Sequence, residues 1–375
     1  MNLLPGPTLL LVLPLLAAGV TYFVRRWAIV AALIASITSA ILAFLCLRLP
    51  LDQTAFVLGQ EVAFGRPVVV LGQTLQLDSA GQLWLAYVFG LAVLFYLFAW
   101  RISQGRSFFP FSLAIMALYV LVILLQTFAL RVLVYGVSVT LAVFIIQGGQ
   151  LAPVRGAQRY LVVSLLAVPL LLAAAWLVDP ARSSPQDAET IRRVMLPAAL
   201  GFGLLLGAFP FGTWMPALAA TTLPMVTAFV FAAGQAMTLY LALVFMHGTP
   251  LLLGNGITPA VIQIAGLVTA VAGGLMAAVQ RDFGRLFGYA AMSDMGVLLL
   301  ALVATGSQSV TLVLLHMVSR GVILVLVGGA LSILRHRATT DRFADLWGVA
   351  RRLPLATAGL ALGVLALAGF PLTAG

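Results

Sequence analysis

Long apolar runs recur from one end of this 375-residue chain to the other, and they restrict its fold more than any motif does. Hydrophobic residues make up 63% of the chain and charged residues 8%, with a mean hydropathy of +1.14. Soluble domains carry about 25% charged residues, and helices of this apolar kind cross a hydrocarbon core ~30 Å thick. The sequence therefore predicts an all-α polytopic membrane protein and argues against a soluble enzyme.

Hydropathy predicts 12 spans, and the fourth and fifth of them are short and nearly fused. The first run lacks the basic residues and cleavage site of a signal peptide. The single cysteine, Cys46, lies inside an apolar run, which excludes a disulfide and a cysteine metal site. The predicted spans are Leu3–Val24, Ala28–Leu47, Leu83–Trp100, Phe111–Thr127, Val132–Ile146, Tyr160–Val178, Val194–Phe209, Leu223–Met246, Pro259–Val279, Leu286–Ala304, Val310–Leu334 and Leu353–Phe370.

Loop charges predict the orientation of these spans. All 20 basic residues are arginines, of which 13 fall in loops after odd-numbered spans and six in loops after even-numbered ones. The positive-inside rule makes the odd loops cytoplasmic and puts the N-terminus outside, in what we expect to be a bacterial inner membrane. These arginines are expected to determine topology and to contact lipid headgroups rather than nucleic acid. His247 is expected at the outer interface.

Two stretches do not fit simple spans. Residues 50–82 mix Val and Leu with Gly and charged residues, which predicts a short outside hairpin. The run FPFGTWMPALAATTLP carries three prolines between spans 7 and 8. Because proline removes a backbone donor, this run predicts an interrupted helix near 209–224, covered by protein or by a water-filled cavity.

Four motifs bearing charge, glycine or proline interrupt the apolar background after residue 200. The chain contains GLLLGAFPFGTWMP followed by LPMVTAF from Gly203, and QRDFGRLFGYAAMSDMG from Gln280. It also contains LLHMVSRGVILVLVGG from Leu314, followed by a basic loop, and LALAGFPLTAG up to Gly375. In order, spacing and sidedness these motifs resemble the antiporter-like membrane subunits of respiratory complex I (NADH:quinone oxidoreductase), Mrp-type cation/proton antiporters, and related hydrogenase or bicarbonate-uptake subunits.

The resemblance covers roughly residues 105 to 375. It divides the chain into N-terminal helices 1–3 with their hairpin, residues 1–104, and an antiporter-like transmembrane domain, residues 105–375. It implies an N-out fold of about 14 helices with two inverted five-helix repeats. The sequence reaches Gly375 before the family's twelfth-helix lysine and last two helices, so about 12 helices are expected here.

In this family a buried chain of Glu, Lys and His residues carries protons across the membrane, and most of it is replaced here. The family's fifth-helix glutamate, the lysine before the proline elbow, the elbow histidine and the eighth-helix lysine would be needed for that path. Groups that exchange protons at an accessible pKa are missing from these positions. The corresponding residues here are Ser138, Leu205, Gly212 and Gln235.

Three ionisable residues remain inside the predicted spans: Asp294, His316 and Arg320. Ionisable groups at membrane depth are costly and are candidates for function. Asp294 stands where the family has His or Gln, and Arg320 replaces its eleventh-helix lysine. His316 matches its counterpart. The cluster is either a structural polar lock between two helices or a residual proton or ion path.

Depth arithmetic predicts a contact within this cluster. Asp294 lies eight residues into a helix that enters from the cytoplasm near Leu286, about 12 Å deep at ~1.5 Å per residue. In a core ~30 Å thick this leaves it ~18 Å below the outer face. Arg320 lies ten residues, about 15 Å, into the next helix, which enters from outside near Val310. We therefore expect Asp294 and Arg320 to pair, with His316 one turn nearer the outside on the same face.

These observations predict an accessory antiporter-like membrane subunit of a multi-subunit redox- or ion-coupled translocase, not catalytic alone and lacking most of the proton relay. One alternative is an active ion or bicarbonate-uptake transporter subunit that uses Asp294 and His316. Another is a purely structural spacer of a membrane arm. No cofactor or metal site is predicted. The expected partners are other membrane subunits, lipid, and a soluble redox or zinc-dependent protein.

Overall fold

The computed structural model describes residues 4–48, 51, 54–57, 60–63, 65–102, 104–148, 155–183, 188–249, 252, 256–303, 309–338, 342–346 and 348–370. The chain forms two compact units, residues 1–149 and 150–375. The boundary predicted between residues 104 and 105 came from where the family resemblance begins, whereas the division after residue 149 separates two units that pack mainly within themselves. The predicted domain limits therefore stay a prediction.

Helices dominate both units. Among the described residues, ten helices are long and apolar enough to cross a membrane, and two shorter apolar helices accompany them, Phe108–Leu124 and Pro354–Leu367. The predicted all-α membrane fold is confirmed, whereas the total number of spans and the side of the N-terminus stay predictions.

The described part of the first unit contains five helices and two small sheets. Asp78 begins α3 by accepting a 2.8 Å hydrogen bond from the backbone N–H of Gly81. Leu71 and Gly72 both have positive φ, as a tight two-residue hairpin turn requires. The strands, in the orders β1-β3-β2 and β4-β5, fall at the N-terminus and within the segment where the hairpin was predicted. The elements are α1 Gly6–Phe23, α2 Ala28–Arg48, α3 Ser79–Ala99, α4 Phe108–Leu124, α5 Phe128–Gln147, β1 Leu4–Pro5, β2 Thr54–Val57, β3 Gln60–Ala63, β4 Val68–Val70 and β5 Gln73–Leu75.

The second unit holds the interrupted stretch. A 3-10 turn, Phe211–Thr213, precedes the short helix α8, and a π-helical turn, Val230–Gly234, separates α9 from α10. Helix α6 starts at Arg155, before its predicted span from Tyr160, and it carries Arg155 and Arg159 near its start. Long arginine side chains can extend toward an interface while the backbone stays helical. The helices are α6 Arg155–Ser183, α7 Ala188–Leu206, α8 Trp214–Thr221, α9 Pro224–Phe229, α10 Gln235–Gly248, α11 Ile257–Ala278, α12 Phe283–Val303, α13 Ser309–Ala338, α14 Val349–Arg352 and α15 Pro354–Leu367.

Small residues let α11 and α12 approach closely. A Cβ added to Gly273 would lie 2.6 Å from the backbone nitrogen of Ser293, and one added to Gly266 would lie 2.9 Å from the carbonyl oxygen of Gly296. Ser293 also donates to the carbonyl oxygen of Ala270 at 2.7 Å. Close approach through small residues is a common means of packing membrane helices, because lipid provides no hydrophobic force between them. This packing holds α12, and with it Asp294, in place.

The end of α8 is stabilised by a side chain from α13. Arg335 donates from Nη1 to the carbonyl oxygen of Thr222 at 2.7 Å and from Nη2 to that of Ala219 at 2.9 Å. The last carbonyl groups of a helix lack intrahelical donors and carry the negative end of its dipole. A guanidinium group supplies both the donors and the positive charge. The carbonyl groups at the interruption near residues 222–223 therefore have hydrogen-bond partners.

Candidate functional site

The candidate site lies among three helical segments of the second unit. The run formed by α9, the π-helical turn and α10 is almost wholly buried. Pro224 begins α9 at a position where its missing N–H has no helical partner to lose. The π-helical turn ends immediately before Gln235, so this side chain begins α10. Single π-helical turns inside helices are often found at functional sites.

Asp294 on α12 lies between two side chains of α13. Its Oδ2 accepts a hydrogen bond from Nη1 of Arg320, and the two groups form an ion pair. Its Oδ1 lies 2.9 Å from Nε2 of His316. The structure thus brings together the three residues that depth and helical spacing predicted to lie close to one another. Both carboxylate oxygens of Asp294 have a partner on the same face of α13.

Gln235 completes this cluster from a third helix. Its Oε1 accepts a hydrogen bond of 2.6 Å from Nη2 of Arg320, which also lies 3.2 Å from the carbonyl oxygen of Ala291. The hydrogen bond joins residues 85 positions apart in the chain. Sequence reasoning identified Gln235 only as a replaced lysine and did not predict this contact. The sole available signal was that its position and that of Arg320 both match lysines of the resembling family.

The cluster is linked to the interrupted stretch. Nε2 of Gln235 donates to the carbonyl oxygen of Leu206 at 3.2 Å and lies 3.4 Å from Sδ of Met215. Leu206 is the last residue of α7, and Met215 lies in α8. Nearby, Nε1 of Trp214 donates to the carbonyl oxygen of Leu204 at 3.0 Å. The end of α7, the start of α8, α10, α12 and α13 are therefore connected by polar contacts.

Burial divides the cluster into an inner pair and an outer histidine. Arg320 is 1% exposed and Asp294 is 4% exposed, whereas the His316 side chain is 19% exposed. Arg320 keeps its charge at any accessible pH, and a buried charge is tolerated only when it is paired and hydrogen-bonded. The Asp294–Arg320 pair meets that condition. His316 belongs to the residue type that exchanges protons near neutral pH.

The other replaced relay positions lie outside these contacts. Ser138, in the first unit, is buried and donates to the carbonyl oxygen of Tyr135 at 2.6 Å. Leu205 is buried in α7. Gly212 is buried in the 3-10 turn, where an added Cβ would lie 2.8 Å from Sδ of Met292. None of these three side chains can exchange a proton at an accessible pH.

His247 lies away from the cluster in sequence, in the last turn of α10. Its side chain is exposed there, and its Nδ1 lies 2.8 Å from the carbonyl oxygen of Leu243. Among the described residues, no three His, Cys, Asp or Glu side chains lie close enough together to hold a metal ion. Within that part of the chain, the polar chemistry at membrane depth in the second unit centres on Asp294, His316, Arg320 and Gln235.

The part of the chain that contains this cluster matches a known protein family. The sequence model of the family described as "NADH:quinone oxidoreductase/Mrp antiporter, TM" matches residues 136–375. The chain is 30% identical over 176 residues to NADH-quinone oxidoreductase subunit N of Heliobacterium modesticaldum, which covers 47% of this chain and 37% of that relative. The chain thus spans little more than a third of the length of the curated relatives it matches.

Solved structures show the same fold. A chain of the Mrp complex from Dietzia sp. DQ12-45-1b superposes with a TM-score of 0.80 at 18% identity, over 98% of this chain and 71% of that one. A chain of respiratory complex I from Thermus thermophilus gives a TM-score of 0.78 at 20% identity, over 97% of this chain and 79% of that one. At this identity the likeness concerns the fold, and function rests on the site.

Proposed function

The chain belongs to the NADH:quinone oxidoreductase/Mrp antiporter transmembrane family, and on that premise we propose that it is an accessory subunit of a multi-subunit redox- or ion-coupled complex. In this proposal the subunit does not run the complete proton relay of its family. The Asp294–Arg320–Gln235 cluster serves as a polar lock that holds α10, α12 and α13 in register. The proposed location is a bacterial inner membrane, with the N-terminus outside.

One observation carries the proposal: an arginine occupies the centre of the cluster. Arg320 binds Asp294, Gln235 and the carbonyl oxygen of Ala291 at once. A relay needs groups that take up and release protons, and arginine does not release its proton. Gln235, beside it, has no exchangeable charge. A proton path through this point would have to pass around the guanidinium group.

A second candidate function is active transport of protons or ions through Asp294 and His316. It is favoured by the 2.9 Å contact between His316 and Asp294 and by the partial exposure of the imidazole. In this alternative the histidine would exchange protons with the carboxylate from one side of the membrane. The purely structural spacer remains the third candidate, and it differs from the accessory subunit only in having no influence on the partner's activity.

Reconstitution into proteoliposomes separates transport from the two non-transporting roles. The purified full chain is placed in vesicles with a trapped pH-sensitive dye, and a pH gradient is imposed. The wild-type chain is expected to give no sustained flux above empty vesicles, while a protonophore collapses the gradient. A robust flux that Asp294→Asn or His316→Ala abolishes would establish the transport alternative and refute ours.

Purification in mild detergent identifies the complex. Hydrogenase or dehydrogenase subunits that co-purify with the chain would support a redox-coupled complex, whereas a zinc-dependent soluble protein would support bicarbonate uptake. Isolation of the chain without partners from a native membrane would argue against any accessory role. In a captured complex, Arg320→Met is expected to lower the amount of assembled complex, because it leaves Asp294 buried without its cation.

A further inference from the structure

Four arginines of the first unit line one cavity. Arg25 and Arg26 follow α1, and Arg101 and Arg106 lie between α3 and α4. They border a cavity of about 380 Å3, which Gln104 also lines. From this arrangement we propose that the cavity binds the headgroup of an anionic, hydroxyl-bearing phospholipid such as phosphatidylglycerol.

The cavity is positively charged, and no carboxylate among the described residues is paired with it. The acidic residues before residue 150 are Asp52, Glu61 and Asp78, and all lie in sequence between α2 and α3. Asp78 begins α3 and Arg101 follows its other end. The 21 residues of that helix separate the two ends by ~32 Å at ~1.5 Å per residue. Among the residues the structure describes, no carboxylate forms an ion pair with the four arginines, which are all exposed. The cavity is therefore positively charged and open to an anion from outside the chain.

Two of the guanidinium groups lie over aromatic rings. Arg25 lies 4.2 Å above the ring of Tyr22, and Arg101 lies 4.2 Å above that of Trp100. Trp27, which follows Arg26 in the sequence, is 69% exposed. Exposed Trp and Tyr residues mark the headgroup region of membrane helices. By that rule the arginines are expected at the depth of a lipid phosphate, and a guanidinium group binds phosphate with two parallel hydrogen bonds.

Gln104 supplies a second, independent observation. The side chain is 4% exposed, and its Nε2 donates to the carbonyl oxygen of Ile102 at 2.8 Å. Its Oε1 is buried and has no hydrogen-bond donor among the described residues. A buried acceptor without a donor is costly. A headgroup hydroxyl would donate to this oxygen while the phosphate binds the arginines, which favours a glycerol headgroup over a bare phosphate ester.

The exposed face of α1 is suited to the acyl chains. Leu16 is 64% exposed, Val20 is 50% exposed and Phe23, at the end of the helix next to Arg25, is 85% exposed. These side chains lie three or four residues apart, hence on one side of the helix. A lipid whose headgroup occupies the cavity can therefore lay its acyl chains along this face of α1, which the other described residues of the first unit leave exposed.

Native mass spectrometry of the delipidated full-length chain, titrated with phosphatidylglycerol or phosphatidylcholine, tests the proposal. The wild-type chain is expected to bind phosphatidylglycerol preferentially. R101Q/R106Q is expected to bind it about 30-fold more weakly, since each basic residue near a headgroup contributes about fivefold to the affinity. The matched control R351Q/R352Q removes the same charge from exposed arginines of the second unit and is expected to keep wild-type binding. Equal losses of phosphatidylglycerol affinity in the two variants would show a general attraction between the basic protein and anionic lipid, and would overturn the proposed site.

A variant of Gln104 and a competition with inorganic phosphate test the hydroxyl contact and the identity of the anion. Gln104→Leu retains every charge and is expected to weaken phosphatidylglycerol binding about fivefold while leaving phosphatidic acid binding unchanged; equal effects on both lipids would refute the hydroxyl contact. Displacement of the lipid by millimolar inorganic phosphate would reassign the cavity to a soluble anion. Wild-type binding to neither lipid would leave an acidic protein segment as the occupant and overturn the proposal.

Discussion

Arg320 donates a 2.6 Å hydrogen bond to Oε1 of Gln235, across 85 residues of sequence. The motif resemblance predicts that both residues stand at positions where the family has lysines. In this chain one of the two positions is a fixed cation and the other is a neutral amide that accepts from it. Two lysines at this distance would repel each other, whereas Arg320 and Gln235 attract. The pair forms a contact between α10 and α13.

Removing the charge of Asp294 should destabilise the second unit strongly. Asp294→Asn leaves Arg320 buried without its counter-ion, and breaking a buried pair costs about 3–5 kcal/mol. The free energy of unfolding in detergent, followed by circular dichroism in denaturant, measures the loss. Glu189→Gln, which removes an ion pair at a side chain 52% exposed, is the control and should cost at most ~1 kcal/mol. An Asp294→Asn variant as stable as the control would contradict the buried pair.

A positive and a negative charge introduced at position 235 should have different effects on stability, because Arg320 lies beside it. Gln235→Lys places a second cation beside Arg320 and should lower stability by at least the ~1–3 kcal/mol of a lost buried hydrogen bond. Gln235→Glu should be better tolerated, because it offers a carboxylate to the same guanidinium group. The midpoint of thermal unfolding in detergent ranks the variants.

A double variant controls for steric effects at this position. Gln235→Lys combined with Arg320→Gln exchanges the cation between the two helices and should recover part of the stability lost in Gln235→Lys alone. If the double variant is no more stable than the sum of the single effects, the side chains do not interact directly and the contact has been misassigned.

Neighbouring glycines of α11 should differ sharply in their tolerance of alanine. An added Cβ at Gly273 would meet the backbone of Ser293 at 2.6 Å, whereas at Gly274 it would meet only Oγ of Ser293 at 3.6 Å. Gly273→Ala should therefore cost about 1–3 kcal/mol through overpacking. Gly274→Ala should be neutral or stabilising by up to ~1 kcal/mol, since it only raises helix propensity. Equal unfolding free energies for the two variants would argue against the close approach of α11 and α12.

Topology can be measured with cysteines introduced into a Cys46→Ser background. Leu71→Cys lies at a hairpin turn where the native side chain is 98% exposed, and Arg337→Cys lies in the exposed last turn of α13. The arginine asymmetry predicts that a membrane-impermeant maleimide labels position 71 on intact cells and position 337 only after permeabilisation. Labelling of position 337 from outside would reverse the orientation.

Local length and polarity predicted that the chain is divided into apolar helices long enough to cross a membrane, because burial in lipid depends on the properties of each segment alone. The rise per residue predicted that Asp294 and Arg320 lie at one depth. The place of the interruption was predictable for a similarly local reason, since proline lacks a backbone donor wherever it stands.

Which helix faces meet could be seen only in the folded protein. In a chain that is apolar nearly all round each helix, no periodicity shows which side faces protein and which faces lipid. The contact between Gln235 and Arg320, the π-helical turn before it and the approach of Gly273 to Ser293 therefore left no readable pattern. They depend on packing between segments far apart in sequence, where shape rather than polarity selects the partner.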